Sequence, residues 1–343
     1  MNYNKLVLAS AVAISLLGCQ STGNDVAKPE QTRHFSQGVY QVEFKSAQTF
    51  KTQADNLTTV IENYCQSTSN LDAVKSQWNQ TMLSWMALQG QERGPEAALA
   101  QSWNVQFWPD KKNTTGRKMS SLIKQPQAWS QQAIALQSVT VQGLGSVEWL
   151  LFDPASDLTG NPQTCQTATA IGENLAVNAG KIADAWAKNP WVELTEQQWE
   201  SEYIALLSNQ LEYSMKKMTR PLANFGKPRP YFSESWRSET SMQNLYANIV
   251  AMEKLYFAQG KGLDAILRDA DKAALADRIA NQFAMTIETW PKDASLFDML
   301  QTKQGYRNAY SQYNKLEQLK YLIHEEVAIE LGVIIGFNAT DGD

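Results

Sequence analysis

The sequence contains little histidine and little cysteine. Its 343 residues include 2 histidines and 3 cysteines. A histidine-rich metal site or a Ser-His-Asp triad needs imidazole side chains, so neither kind of site is expected. Long basic runs are also absent, since none exceeds the pair Lys111-Lys112, and 30 basic and 35 acidic residues give a net charge of −5. A nucleic-acid partner is therefore not expected, because such binding needs a concentrated basic patch.

Apolar residues, in contrast, are plentiful. Hydrophobic residues make up 43% of the chain and charged residues 19%. This composition excludes a disordered or collagen-like chain, because enough apolar side chains are present to offset the entropy lost on folding. The chain is also longer than one helical core comfortably accommodates, which favours two cores.

The N-terminus has the features of an exported lipoprotein. Lys5 precedes an apolar stretch of about twelve residues, which is too short for a membrane-spanning helix of roughly 20. The string Leu16-Leu17-Gly18-Cys19 is similar to a bacterial lipobox, so residues 1–18 are predicted to be removed and the Cys19 thiol to be lipidated. An ordinary signal peptide followed by a chance cysteine is the alternative.

The lipid anchor predicts where the protein works. Gln20 follows Cys19 in place of the aspartate that retains many lipoproteins at the inner membrane. We therefore expect the protein in the cell envelope, attached to the outer membrane by its lipid and facing the periplasm. Residues 19–44 are predicted to form a flexible tether, and an outer-membrane receptor or transporter is a candidate partner.

Export also bears on the chemistry of the other two cysteines, because it determines whether they can form a disulfide bond. Cys65 and Cys165 are the only cysteines after Cys19, and an oxidising periplasm permits a disulfide bond between them. Two separate buried thiols are the alternative. Two cysteines this far apart do not suggest a zinc site.

Helical periodicity dominates the rest of the chain and predicts an all-α fold. Apolar residues recur every three or four positions, as in an amphipathic helix, and alternating runs with hairpin turns are missing. We predict two helical bundles, residues 45–190 and 191–343, with a cleft between them. Aligning Trp78 with Tyr306 superposes further aromatic and leucine positions, so an internal duplication is considered. The stripes are formed by Leu71, Val74, Trp78, Thr81, Trp85 and Leu88, and by Tyr306, Ala309, Tyr313, Leu316, Ile323 and Val327.

The segment 142–154, QGLGSVEWLLFDP, carries the most functional information. Gly143 and Gly145 permit close backbone approach, and Glu148 stands just before an apolar run. Such a carboxylate lies either on a solvated helix face or in a polar pocket. The segment resembles the signature G-x-H-x-x-E of the imelysin-like family of exported bacterial proteins, with Gly143 and Glu148 at the outer positions.

The resemblance extends over most of the chain after the tether. The strings Phe107-Trp108-Pro109-Asp110 and Glu234-Ser235-Trp236-Arg237-Ser238 are similar to those of the family's lipoprotein branch. The resemblance implies two helical bundles with a cleft that involves the signature. It also implies an association with iron acquisition, and the family is named for a peptidase.

This sequence departs from the family signature at one position, because Gly145 replaces the motif histidine. Neither histidine compensates by spacing: the string His324-Glu325 would need a second histidine at position 328, which is Ala328. A zinc peptidase is therefore not expected, and no catalytic residue is assigned.

The remaining candidates form a predicted binding cleft. Glu148 could coordinate a hard cation or ferric iron, so iron or another metal ion is a candidate ligand. Arg237 could bind an anion through its planar guanidinium, or it could form an interdomain salt bridge. The predicted cleft residues are Gly143, Gly145, Glu148, Glu234, Arg237, Ser238 and Ser241.

Three functional classes follow. The first is a non-enzymatic binding lipoprotein in iron, metal or nutrient acquisition, favoured by the lipobox and the missing motif histidine. The second is a metal-dependent or carboxylate-based peptidase or hydrolase, as the family resemblance implies. The third is a scaffold or adaptor at the outer membrane.

Overall fold

The computed structural model describes residues 34–333, which fold as α-helices without strands. The all-α prediction is confirmed. Residues 1–18, Cys19 and the tether up to residue 33 lie outside the described range. The helices are α1 (Gln37–Cys65), α2 (Leu71–Trp85), α3 (Glu96–Leu99), α4 (Ser102–Val105), α5 (Thr114–Leu122), α6 (Gln131–Ala135), α7 (Gly143–Phe152), α8 (Pro162–Ala185), α9 (Glu196–Leu222), α10 (Ser241–Phe257), α11 (Leu263–Asp269), α12 (Ala273–Glu288), α13 (Leu296–Met299), α14 (Lys303–Lys320) and α15 (Val327–Leu331).

Short turns of other helix types connect some of these elements. They are 3-10 turns at Val139–Val141, Pro230–Phe232 and Ala258–Gly260, and a π-helix at Tyr321–Glu326 between α14 and α15. No helix within residues 34–333 is both long enough and apolar enough to cross a membrane.

The helices form two groups with a groove between them. In the first group α1 packs against α2 and α8, and α7 packs against α2, α5 and α8. In the second group α9 packs against α10 and α14, and α12 packs against α10 and α14. Helix α10 also contacts α1 and α2, which joins the groups. The groove between α1, α2 and α10 has a volume of about 770 Å³.

The chain between the two predicted bundles is itself part of the core. Trp186, Trp191, Trp199 and Tyr203 form a continuous row of rings with centroids 5.3, 4.8 and 5.2 Å apart. All four side chains are at most 2% exposed. Because rings on both sides of residue 190 pack together, this connection is not a loose linker. The exact bundle limits and the duplication stay predictions.

Helix α1 begins earlier than the sequence suggested. The predicted tether, residues 19–44, is wrong for residues 37–44, which belong to α1. Val39, Tyr40 and Glu43 are buried, so packing against the rest of the protein holds these first turns of the helix in place. Gly38 allows the close approach, because a Cβ atom there would lie 2.5 Å from the Cβ atom of Lys261.

A disulfide bond joins the two longest helices of the first group. It links Cys65, the last residue of α1, to Cys165 in the first turn of α8. The Cα atoms of the two cysteines are 5.6 Å apart, and 100 positions separate them in the sequence. The bond therefore closes a loop that contains α2 to α7, including the signature segment.

Candidate functional site

The start of α7 lies against the end of α4, and Gly143 makes this approach possible. Gly143 has a φ of +68°, and a Cβ atom there would lie 2.1 Å from the carbonyl oxygen of Val105. A side chain is therefore excluded on both conformational and steric grounds. Gly143 positions the signature helix and does not line the cavity described next.

Gly145 has the opposite surroundings. Apart from the adjoining part of α7, no atom of residues 34–333 lies within 4 Å of the position that its Cβ atom would take. Gly145 and Glu148 stand three residues apart on one face of α7, and both line a small cavity of about 40 Å³. The side chains of Ser235, Trp236 and Arg237 complete part of its wall. The structure thus brings the signature segment and the 234–238 string to one place.

Glu148 is buried, with 5% of the residue exposed. Its Oε1 atom accepts two hydrogen bonds from Ser238, one from the backbone N–H at 2.9 Å and one from Oγ at 2.8 Å. Burial raises the pKa of Glu148, while the two Ser238 hydrogen bonds and the nearby Arg237 charge oppose this rise. The carboxyl therefore lies in a polar pocket rather than on a solvated face.

Arg237 links the two halves of the sequence. Its Nε atom donates to Oδ2 of Asp153 at 2.7 Å, and an Nη atom donates to Oδ1 of Asn113 at 2.7 Å. The guanidinium carbon also lies 4.3 Å from the ring centroid of Trp236. Much of the guanidinium is therefore already bound by protein groups, which favours a salt bridge over the binding of an external anion. The ion pair of Arg237 is with Asp153 and not with Glu148.

Glu234 is the acid of a buried ion pair that the sequence did not reveal. Its Oε2 atom lies 2.6 Å from Nζ of Lys217, and both side chains are 1% exposed. Gln89 and Gln106 donate to Oε1 of Glu234, at 2.6 and 2.9 Å. Lys217 also donates to Asn248 at 2.7 Å. Burial lowers the pKa of Lys217, and Glu234 opposes this change.

Ser241 is separate from the cavity. It begins α10 and is 1% exposed, and its Oγ atom has no hydrogen-bond partner within the range that the structure describes. Of the seven predicted cleft residues, Gly145, Glu148 and Arg237 line the small cavity. Ser238 donates hydrogen bonds to Glu148 without lining the cavity. Gly143, Glu234 and Ser241 do not line it either.

Comparison with known proteins assigns the family. The family model described as Imelysin matches residues 44–323. The chain belongs to the imelysin family. No curated protein matches the sequence. The position of Gly145 relative to the imelysin signature rests on the sequence resemblance alone.

Two solved structures share the imelysin fold. An imelysin-like protein from Psychrobacter arcticum 273-4 has a TM-score of 0.71 and 18% identity, covering 88% of this chain and 96% of that one. A protein from Parabacteroides distasonis ATCC 8503, described as an iron-regulated protein A precursor, has a TM-score of 0.63 and 15% identity, covering 87% and 96%. At these identities the likeness establishes the fold alone.

The residues of this imelysin chain do not fit a bare metal ion at Glu148. Asp110 lines the same cavity, but its two carboxylate oxygens accept hydrogen bonds from the amides of Thr114 at 2.6 Å and Thr115 at 2.8 Å. The cation Arg237 also lines it. Among residues 34–333 no group of three or more His, Cys, Asp and Glu side chains could hold a metal ion. Within the described residues Glu148 therefore lacks the further unpaired carboxylates that a hard cation prefers.

Lys217 is the main residue that sequence reasoning missed in this imelysin site. It lies on the buried face of α9, where Ser214 and Met218 are also buried. A lysine within a buried helical stripe signals a buried partner of opposite charge, because an unpaired ammonium group is rarely tolerated there. That signal was present in the sequence, but it could not identify Glu234 as the partner.

Proposed function

We propose that this imelysin-family protein is a non-enzymatic binding protein of the cell envelope that serves the acquisition of iron or another nutrient. The lipobox that ends at Cys19 supports a lipid anchor, and Gln20 after it supports the outer membrane and a periplasmic location. The description of the Parabacteroides distasonis protein as iron-regulated supports a connection with iron. Because no group of three metal-ligating side chains is found among residues 34–333, iron would arrive within a larger molecule rather than as a bare ion.

The observation that carries the proposal is the open space beside Gly145, next to the buried carboxyl of Glu148. A volume of about 40 Å³ accommodates a few water molecules. It can therefore accept a small polar ligand, or one polar group of a larger ligand. Ser238 and Arg237 hold the surrounding groups in place before the ligand enters, which reduces the entropy lost on binding.

Hydrolysis is the second candidate, because the raised pKa of Glu148 suits a general acid or base. Ser238 Oγ donates to Glu148, but it also contacts the carbonyl oxygen of Ser235 at 3.1 Å and Oγ1 of Thr240 at 3.0 Å. His324 contacts Glu325 in the π-helix and does not line the cavity. The small cavity and the absence of an imidazole in its wall favour binding over peptide cleavage.

The test is ligand occupancy in matched glycine variants. The full chain is purified from its own cell envelope in detergent and examined by native mass spectrometry as wild type, Gly145→Leu and Gly180→Leu. Gly180 is the control, because it is also a helical glycine whose Cβ position has no atom of residues 34–333 within 4 Å, apart from its own stretch of helix. Leucine at either position favours helix over glycine by about 1 kcal/mol, so neither variant should unfold.

We expect a bound small molecule on the wild type and on Gly180→Leu, and at least a tenfold lower occupancy on Gly145→Leu. Equal occupancy of the two variants would place the ligand elsewhere. A wild type without any bound small molecule, together with peptide turnover that Glu148→Gln abolishes, would replace binding by hydrolysis.

A further inference from the structure

We infer that a second, larger cavity binds an aromatic anion. The cavity has a volume of about 870 Å³ and lies between the 89–114 segment and α9. It shares Gln106, Phe107, Trp108 and Asp110 with the wall of the small Gly145 cavity. The inference rests on the binding role proposed above and names a ligand class, but it concerns different side chains.

Aromatic rings form much of the wall. Trp103 and Phe107 have ring centroids 5.7 Å apart, and Trp108 and Tyr213 form an edge-to-face pair at 5.7 Å. Trp103 is 54% exposed, unusually high for the largest apolar side chain. Exposed tryptophan in a concave site offers a flat surface on which a planar ring can stack.

The wall of the cavity carries a net positive charge, whereas the whole protein is negatively charged. Basic residues in its wall outnumber acidic ones, although the chain has a net charge of −5. The acid Asp110 is already occupied by the amides that begin α5. Within the described residues 34–333, only Arg93 among these basic residues lies within ion-pair distance of an acid, at 3.4 Å from Glu202. The basic residues are Arg93, Lys111, Lys112, Lys216 and Arg220, and the acidic ones are Glu92 and Asp110.

Arg220 gives independent evidence that the positive charge of the cavity wall lacks an anionic partner. Its Nε atom is buried and has no hydrogen-bond partner in the described part of the chain. Lys216, one turn earlier on α9, has no ion pair with any acid in residues 34–333. A buried guanidinium donor without a partner is costly. Arg220 also has no ion pair within residues 34–333, so an anionic group in this cavity would neutralise its charge.

Together these features select one ligand class. The rings would stack on an aromatic body, and Arg220 and Lys216 would bind its carboxylate or other anionic group by charge-assisted hydrogen bonds. A free cation is excluded by the excess of positive charge. A neutral aromatic compound would leave the basic groups unpaired, so it should bind more weakly than its anion.

The probe is 2-naphthoate, with neutral 2-naphthylmethanol as its matched compound. Binding to the full-length protein is measured by calorimetry in low and high salt, for the wild type and for Lys216→Gln, Arg220→Gln and Trp103→Ala. Lys188→Gln is the control, because Lys188 is an exposed lysine outside the cavity wall. Thermal unfolding of each variant verifies that it is folded. Trp103 is largely exposed, so Trp103→Ala should fold and can test the cavity even if Arg220→Gln does not fold.

We expect naphthoate to bind more tightly than naphthylmethanol and more weakly in high salt. Each of the three cavity variants should weaken naphthoate binding by about tenfold or more, and Lys188→Gln should not change it. Equal binding of the two compounds, or unchanged binding in the folded cavity variants, would overturn the inference. Gly145→Leu separates the two proposals: if it loses no native ligand yet binds naphthoate normally, the Gly145 site fails and the aromatic-anion cavity stands.

Discussion

Gly143 and Gly145 stand two residues apart in α7, yet they serve different purposes. Gly143 has a left-handed φ and touches the backbone of Val105, whereas Gly145 borders open space next to Glu148. The sequence identified both as positions where the backbone could approach a partner closely. It could not distinguish them, because the partner backbone comes from α4, about 40 residues earlier in the chain.

Gly143→Ala and Gly145→Ala are therefore expected to behave differently. Alanine at 143 would combine an unfavourable φ with a steric clash, and it should lower the free energy of unfolding by at least about 2 kcal/mol. Alanine at 145 meets no atom and should raise it slightly through helix propensity. Urea unfolding of both variants measures the difference, and equal losses would contradict the structure.

Glu43 predicts a dependence of stability on pH. It is 1% exposed, and burial raises its pKa from 4.5 to about 8, opposed by a hydrogen bond from Gln91 at 2.7 Å. Between pH 4.5 and about 8 the folded state therefore keeps a proton that the unfolded state has already released. Over this range the free energy of unfolding should fall as pH rises, by up to about 1.4 kcal/mol per pH unit.

The variant Glu43→Gln isolates this contribution. It should flatten the pH dependence between pH 5 and 8 and be more stable than the wild type at pH 8, as measured by urea unfolding at several pH values. Glu193→Gln, at an exposed position, is the control and should follow the wild-type curve. If Glu43→Gln follows that curve too, Glu43 ionises as an ordinary carboxyl.

At the scale of helices, periodicity was a good guide and composition was not. The apolar stripe from Leu71 to Trp85 corresponds to α2, whose buried residues follow that spacing. The predicted tether overruns the start of α1, where the polar stretch before Gln37 gives way to Val39, Tyr40, Val42 and Phe44. Its burial depends on a contact between Gly38 and the distant segment around Lys261, and a single sequence does not show which distant segments meet.

The bond between α1 and α8 gives a prediction at the same scale. Replacing both Cys65 and Cys165 by alanine should lower the free energy of unfolding by about 2 to 5 kcal/mol, because the unfolded chain loses a constraint on a long loop. The wild type in reducing buffer should show a similar loss. Alkylation of both thiols in the native protein without reductant would show that the bond is absent.

At the scale of the whole molecule, the sequence predicted the family and the helical architecture, and it named Glu148 and residues of the 234–238 string as candidates for one cleft. It did not predict the arrangement within the site. Arg237 pairs with Asp153, and Glu234 pairs with Lys217, because side chains from several helices compete for each charge. Such competition is decided by three-dimensional packing, which periodicity does not describe.

The proposed lipid anchor is tested on the intact protein in cells. Cys19→Ser removes the thiol to which lipid would be attached, so the protein should move from the membrane pellet to the soluble periplasmic fraction. Ser21→Ala, two residues away, is the control and should stay with the membrane. Wild-type protein found mainly in the soluble fraction would contradict the anchor.

The central claim is that the Gly145 site binds a ligand without converting it. The most direct measurement incubates a known amount of protein with cell-envelope extract and quantifies both bound and consumed small molecules by mass spectrometry. The account predicts that one compound leaves the extract in a stoichiometric amount, is recovered unchanged from the protein, and is retained less by Glu148→Gln. Consumption of a compound in large excess over the protein, with release of its products, would contradict it.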